Sequence, residues 1–480
     1  MSRRRSRRGR PPALPERRRG AKAQTGRQSV PLAGNLRRDD VRSAASWVVE
    51  HTLESHAPAT RYLDSALARC DVRDHALLRE LALGTLRWLR RIDHVIHRAS
   101  DRPMQRIDLA LRAPLRVAVY QLLWLDRVPS HAVVHEAVEQ VRHRARRNAG
   151  AIGFANAVLR RIARSPQRDA WPVTHDDPVV RLAIEHSHPD LLVRRWWDRL
   201  GADETRRLLI ANNRPKPMHL LAFRDRGGRE RLAERLIDRD IEVEPSMIAP
   251  LGLIVRGGHP LADPAFDDGA FYVQDEGSQA AALLPPPRPG ERILDAAAAP
   301  GGKSFAMLAH TPDARIVAAD VGIGRLATLW RNGQRLRRRL TTLAADGLRP
   351  PFRAAFDRVV VDLPCTGTGT LRKHPELKWR ISTDEIQRLG AQARTLLGGL
   401  APAVAPGGLL IAITCSLEPE ENEDAVDALR ADHPRWLPVD LAAAGLPHPL
   451  GQWITGPGRW QLPTADDHDG FTVHVLRRAR

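Results

Sequence analysis

Three cysteines occur in 480 residues, and two of them stand where a catalytic thiol would be useful. Cys365 follows "FDRVVVDLP" and Cys415 follows "LLIAIT", so each lies just past an apolar run of the kind that forms a buried strand. A thiol at the carboxyl end of a strand can be an exposed nucleophile while the strand behind holds it rigid. Its reactive form is the thiolate, whose ordinary pKa of about 8.5 falls near a cation or a helix amino terminus. Pro419 suits the first turn of a following helix, and Glu420 and Glu421 suit its positive end. In a doubly wound sheet these fourth and fifth strands are neighbours about 5 Å apart, so the two thiols are expected at one rim. For a lone buried cysteine an inert core role is the better expectation; two at adjacent strand ends, beside Asp362, reverse it. Spacing alone does not say which of them attacks.

A second constellation precedes the thiols. "RILDAAAAPGGKS" is an apolar strand, a turn of tiny residues from Ala297 through Ala298, Ala299, Pro300, Gly301 and Gly302 to Lys303, and then a helix. Such a turn lets backbone amides approach a ligand beyond the strand ends. It ends like a phosphate-binding P-loop, but that pattern needs glycine where Ala297 stands, and Pro300 removes an amide from the cradle. An NTPase is therefore disfavoured. Asp320 ends the next strand 25 residues after Asp295, placed to accept from a ribose, and Asp346 follows the third. Carboxylates at successive strand ends suit a nucleoside carrying a cationic or amine group. Any one of them alone could be a cap or a turn residue.

The elements that must position these groups are legible from periodicity. Strands are expected at 292–298, 315–320, 341–345, 357–362 and 408–414, with helices at 303–310, 323–338, 383–400 and 419–432. This alternation implies an α/β Rossmann-like domain over 266–480, with "GFTVHVLRR" as a late strand at the sheet edge. Residues 39–165 read as helix after helix, an all-α domain in which Cys70 packs or faces solvent. Residues 166–265 read as a connector with a small strand–helix–strand unit.

The first 38 residues form a basic tail, expected to be disordered; their Arg/Ser richness also resembles a mitochondrial transit peptide. Net charge is +19, and only five of the 75 basic residues are lysines; three of those, Lys303, Lys373 and Lys378, fall in motif-bearing stretches. A basic excess on tail and body favours a polyanionic partner, nucleic acid first. No apolar run approaches the ~18 residues that span a bilayer, so no membrane partner is expected. With no C-x-x-C pair, neither a zinc site nor a disulfide framework is expected, and a reducing cytoplasm is the default.

"RVPSHAVVHEAVEQVR" with "GFANAVLRRI" resembles the NusB family of helical RNA-binding domains over about residues 40–165. "LDAAAAPGGKS", "DLPCTGTGT" and "TCSLEPEENE", in that order, resemble the RNA cytosine-C5 methyltransferases of the Sun/NOL/NOP type. "YVQDEGSQ" and "RKHPELKW" look like the subgroup that acts on small-subunit ribosomal RNA. The resemblance implies S-adenosylmethionine as cofactor, cradled by Ala297 to Lys303, with Asp320 on the ribose, Asp346 near the adenine and Asp362 beside the methionine and the target base. It also implies Cys415 as the nucleophile on carbon 6 of cytosine, with Cys365 assisting product release. The partner implied is small-subunit ribosomal RNA, bound by a monomer. Transfer RNA as substrate, or a non-catalytic assembly factor, are the alternatives. The family carries cysteine where Ala297 stands; since small size is the requirement there, altered packing rather than lost binding is expected.

Overall fold

The computed structural model describes residues 40–480 apart from 56 and 465–467. The tail assigned to residues 1–38 lies outside the described residues. From Val41 to Ala163 the chain folds into seven α-helices around one apolar core, to which Leu78, Leu81, Leu86, Ile92 and Val95 contribute buried side chains. Cys70 packs half-buried against that core. Two more helical segments follow, Pro178–Glu185 and Asp190–Asn213. Gly201 breaks the second with φ 79° and ψ 173°, so it is two rods joined at a glycine.

A small antiparallel sheet comes next, with strands β1 (Met218–Leu221), β2 (Val243–Pro245), β3 (Gly252–Val255) and β4 (Tyr272–Val273) in the order β2-β3-β1-β4. The helix Gly228–Ile237 packs Leu232 and Leu236 into its core.

The large sheet is built from β5 (Arg292–Asp295), β6 (Arg315–Asp320), β7 (Thr341–Ala344), β8 (Phe356–Asp362), β9 (Val404–Thr414), β10 (Trp436–Pro438), β11 (Ile454–Gly456), β12 (Arg459–Leu462) and β13 (Phe471–Arg478). Its order is β11-β12-β13-β9-β8-β5-β6-β7, and β10 pairs with the far end of β13. The strands β9, β8, β5, β6 and β7 run parallel. Val359, Val360 and Val361 are all buried, the continuous apolar run that a strand covered on both faces requires. The helix Thr383–Leu400 covers one face through Ile386, Leu389, Ala393, Leu397 and Leu400; it starts where the Ser382 side chain accepts the Glu385 N–H.

Two expectations are corrected. β13 is not an edge strand: it pairs antiparallel with β9 on one side and β12 on the other, because the Ile454–Leu462 hairpin adds itself outside. The helix expected at 419–432 begins only at Glu423, after a short turn Pro419–Glu421. Asn422, at φ −117° and ψ −97°, separates the two. Glu421 is thereby turned inward instead of facing a helix terminus.

Candidate active site

The rim at the carboxyl ends of β5, β6, β8 and β9 gathers the sequence motifs. The β5 turn is held by the Ala296 N–H on Val360 O at 2.8 Å and the Ala298 N–H on Ala319 O at 2.9 Å. Gly301 adopts φ 113°, and a Cβ there would sit 2.3 Å from the Phe305 ring. Only glycine can turn the chain into the helix Gly302–His310 at that point. Ala297 is half-buried in this turn and its N–H bonds to Asp295. Asp295 itself is buried, accepts from Ser304 Oγ at 2.7 Å, and is pushed up to about 6 by burial and then by the Asp362 carboxylate. It therefore stays in the wall rather than lining a cleft.

Asp320 is buried at the end of β6. Its Oδ2 accepts the Ala299 N–H at 3.3 Å, while Oδ1 takes the Gly322 N–H at 2.7 Å and the Arg325 guanidinium at 2.6 Å. Oδ2 keeps a lone pair for one more donor. Asp346 lies two residues past β7, exposed, with Oδ1 accepting the Leu348 N–H at 2.9 Å. Asp362 and Lys303 meet: Lys303 Nζ lies 2.6 Å from Asp362 Oδ2 and 5.8 Å from the centroid of the Phe471 ring. Burial presses the Lys303 pKa down, but Asp362, Asp295 and Cys415 more than offset it, and the ammonium is held.

Parallel pairing of Asp362 with Ile413 brings the two thiols to one place, Cys365 Sγ 3.6 Å from Cys415 Sγ. A disulfide would require about 2.05 Å; both are free thiols. A hydrogen bond from Cys365 holds the Cys415 thiol below its usual value, against burial and Asp362, and Lys303 adds to the lowering. Cys365 moves the other way, raised by donating to Cys415, by burial and by the Glu421 carboxylate. The hydrogen bond between the sulfurs is the largest influence on both, and it makes Cys415 the better thiolate.

The loops bearing the cysteines are bolted together. Glu421 accepts the Thr366 N–H and the Thr366 hydroxyl, each at 2.9 Å. The Gly369 N–H donates to Cys415 O at 2.9 Å, and the Leu417 N–H to Thr368 Oγ1 at 2.7 Å. Behind them Glu418, fully buried, accepts from Arg195 Nε at 2.6 Å and Trp196 Nε1 at 3.1 Å. Burial raises Glu421 from 4.5 to about 7, so its stabilisation is present below pH 4.5 and is lost as pH climbs to about 7. Glu421→Gln is expected to flatten stability against pH across that window by about 3 kcal/mol, read from urea titrations. An unchanged slope would show that Glu421 does not titrate there.

Sequence reasoning missed the inward role of Glu421 and a buried ion cluster beside the thiols. Lys216 Nζ bridges Asp275 and Asp469, and His219 Nδ1 lies 3.5 Å from Asp275. Asp469 pushes the Cys415 pKa upward, so this cluster belongs to the site's electrostatics. Lys216 is one of only five lysines, and that scarcity was the available signal. Among the described residues no group of three or more His, Cys, Asp or Glu could hold a metal ion, and no helix is long and apolar enough to cross a membrane.

A parallel sheet closed by an antiparallel β13, with a small-residue turn and two free thiols at its carboxyl rim, defines a Rossmann-like methyltransferase behind a helical domain. Three family models match: 16S rRNA methyltransferase RsmB/F over residues 281–477, the NusB family over 41–164, and the RsmF/B-like ferredoxin-like domain over 188–262. Ribosomal RNA small subunit methyltransferase B of Escherichia coli (strain SMS-3-5 / SECEC) is 31% identical over 436 residues, 90% of this chain and 97% of that protein. The crystal structure of PH0851 superposes with a TM-score of 0.75 at 25% identity, covering 91% of this chain and 99% of that one. A methyltransferase homolog protein from Pyrococcus horikoshii, 24% identical, gives 0.52 over 63% of this chain and all (100%) of that one. The chain belongs to the ribosomal RNA small subunit methyltransferase B family.

Proposed function

We propose that this enzyme transfers a methyl group from S-adenosylmethionine to carbon 5 of a cytosine in small-subunit ribosomal RNA, through a covalent bond between Cys415 and carbon 6. The observation that carries this reading is the thiol pair, 3.6 Å apart, with Lys303 and Asp362 beside it. Two cysteines in contact serve a reaction in which one sulfur forms a bond that must later be broken.

The residues present fit the cofactor. The turn Ala297–Lys303 is small and glycine-bent, and a side chain at Gly301 would collide with the buried Phe305 ring. The Asp320 Oδ2 has a lone pair for a ribose hydroxyl, although Arg325 shares that carboxylate. Asp346 is exposed two residues past β7, which supports reading it as the residue near the adenine. When bound, S-adenosylmethionine supplies an electrophilic methyl group. Gly301→Ala is expected to weaken its binding about 100-fold by calorimetry, since left-handed strain and contact with Phe305 together cost about 3 kcal/mol.

The Cys415 thiolate adds to carbon 6, and the ring electrons pushed onto carbon 5 make that carbon nucleophilic. After methylation, carbon 5 holds both a hydrogen and the new methyl group. A base takes the hydrogen as a proton, the electron pair restores the ring double bond, and the carbon 6–sulfur bond breaks to return the thiolate. Cys365 assists this release, and its raised pKa makes it a proton carrier rather than a competing nucleophile. The base must leave its stack to reach Cys415, so the target is an unpaired or everted cytosine.

Bisulfite sequencing of total RNA from cells with and without the gene tests reaction, substrate class and position together. One small-subunit cytosine should lose its protection from deamination in the deletion. Loss confined to transfer RNA would redirect the substrate, and unchanged profiles would refute the reaction.

A further inference from the structure

The segment Leu371–Arg380 leaves the Cys365 turn directly and runs between the helical domain, the connector and the large sheet. Arg372, Glu376 and Lys378 are each no more than 1% exposed there. Lys378 Nζ donates to Arg87 O at 3.2 Å, Ser187 O at 3.2 Å and Asn213 Oδ1 at 2.7 Å. Three oxygen acceptors surround the amine, whose pKa full burial and the Arg87 cation hold well below its usual value. Arg87 ends the helix His75–Arg87, where carbonyls lack intrahelical partners. The neighbouring carbonyl, Leu86 O, accepts from Trp379 Nε1 at 2.8 Å. Arg87 Nη2 returns a bond to Arg372 O at 3.0 Å, and Glu376 Oε1 accepts the Ala59 N–H at 3.2 Å. Arg380 reaches Thr52 O at 2.9 Å.

These contacts continue to the thiols. Leu377 sits against Gly367: a Cβ at Gly367 would lie 3.1 Å from Leu377 Cδ1 and 3.9 Å from Cys415 Sγ. Gly367 has φ 72° and its carbonyl accepts the Thr370 N–H at 2.9 Å, which fixes the turn between Cys365 and the segment. From Leu86 and Arg87 to the sulfurs the path is therefore a continuous line of buried and half-buried contacts.

We infer that Leu371–Arg380 is a brace through which the N-terminal helical domain holds the Cys365 turn against Cys415, with Lys378 and Trp379 as positioning residues. The helical domain then sets the geometry of the reacting groups, a role separate from holding RNA. The part of this inference that concerns turnover rests on the proposed methyl transfer; the part that concerns the thiols does not. The test uses the full-length chain and two substitutions. Trp379→Phe keeps a ring and removes one donor, and Lys378→Met removes the amine. Each is compared with the parent by thermal melting, by the rate of iodoacetamide alkylation at Cys365 and Cys70 (peptide mass mapping), and by kcat and KM on small-subunit ribosomal RNA.

A loosened turn is expected to alkylate Cys365 about tenfold faster with Cys70 unchanged, and to lower kcat about tenfold with KM for RNA within twofold. A folded Trp379→Phe protein with parental Cys365 alkylation overturns the brace, whatever Lys378→Met does. An effect confined to KM for RNA also overturns it, leaving the segment a plain domain contact. If the parent methylates no ribosomal RNA, the function proposed above fails, and the alkylation rates still decide this inference.

Discussion

Cys415→Ala is expected to abolish methyl transfer, by at least about 10⁴-fold, while S-adenosylmethionine binding stays within a few-fold of the parent. The size follows from the chemistry. Carbon 5 of cytosine is a poor nucleophile until a group adds at carbon 6, and the amine at this rim, Lys303, is held as an ammonium by Asp362. Cys365 is the nearest substitute, but it lies under the raising influence of Glu421 and of burial, so little thiolate is available there. The turn proposed to hold the cofactor follows β5, and of its residues only Lys303 interacts with the Cys415 sulfur, which is why binding is expected to survive. Filter-binding of labelled methyl groups measures the first quantity and calorimetry the second. Turnover in this variant above one-hundredth of the parent rate would reassign the nucleophile.

Cys365→Ala is expected to slow multiple turnover by about 100-fold and to leave a covalent protein–RNA adduct that survives a denaturing gel. Bond formation at carbon 6 needs Cys415 alone, whereas release needs proton traffic beside the same sulfur. At 3.6 Å, Cys365 is the side chain in hydrogen-bond contact with it. The variant also removes the hydrogen bond that holds the Cys415 pKa down, so the rise of single-turnover rate with pH should move to higher pH. The wild-type rate should climb at lower pH and then level. An adduct-free gel together with parental turnover would strip Cys365 of its role in release.

The chain shows how far local pattern carries and where it stops. The strand ending at Asp362 was legible because three consecutive valines between charged residues have few other uses in a parallel sheet. The turn at Gly301 was legible because consecutive tiny residues after a strand leave room for backbone to approach a ligand. Glu421 was misplaced for a related reason. A Pro-Glu-Glu run has a strong helix-start pattern, and nothing local reveals that Thr366, 55 residues earlier, offers two donors from inside. β13 was put at the edge because a chain-terminal strand has no visible second neighbour, and the Ile454–Leu462 hairpin supplies one.

What the sequence by itself determined is the five parallel strands, the small-residue turn and the residue types at the strand ends, since these follow from periodicity and side-chain size over a few residues. Only the tertiary structure decided the 3.6 Å hydrogen bond between the sulfurs that separates their acidities, the Lys303–Asp362 pair beside it, and the burial of Lys378 on carbonyls up to 291 residues away. The physical reason is that a polar group is stable out of water only where another segment presents its partners. Which segments share an interior is a property of the whole chain's packing and leaves no mark in local composition.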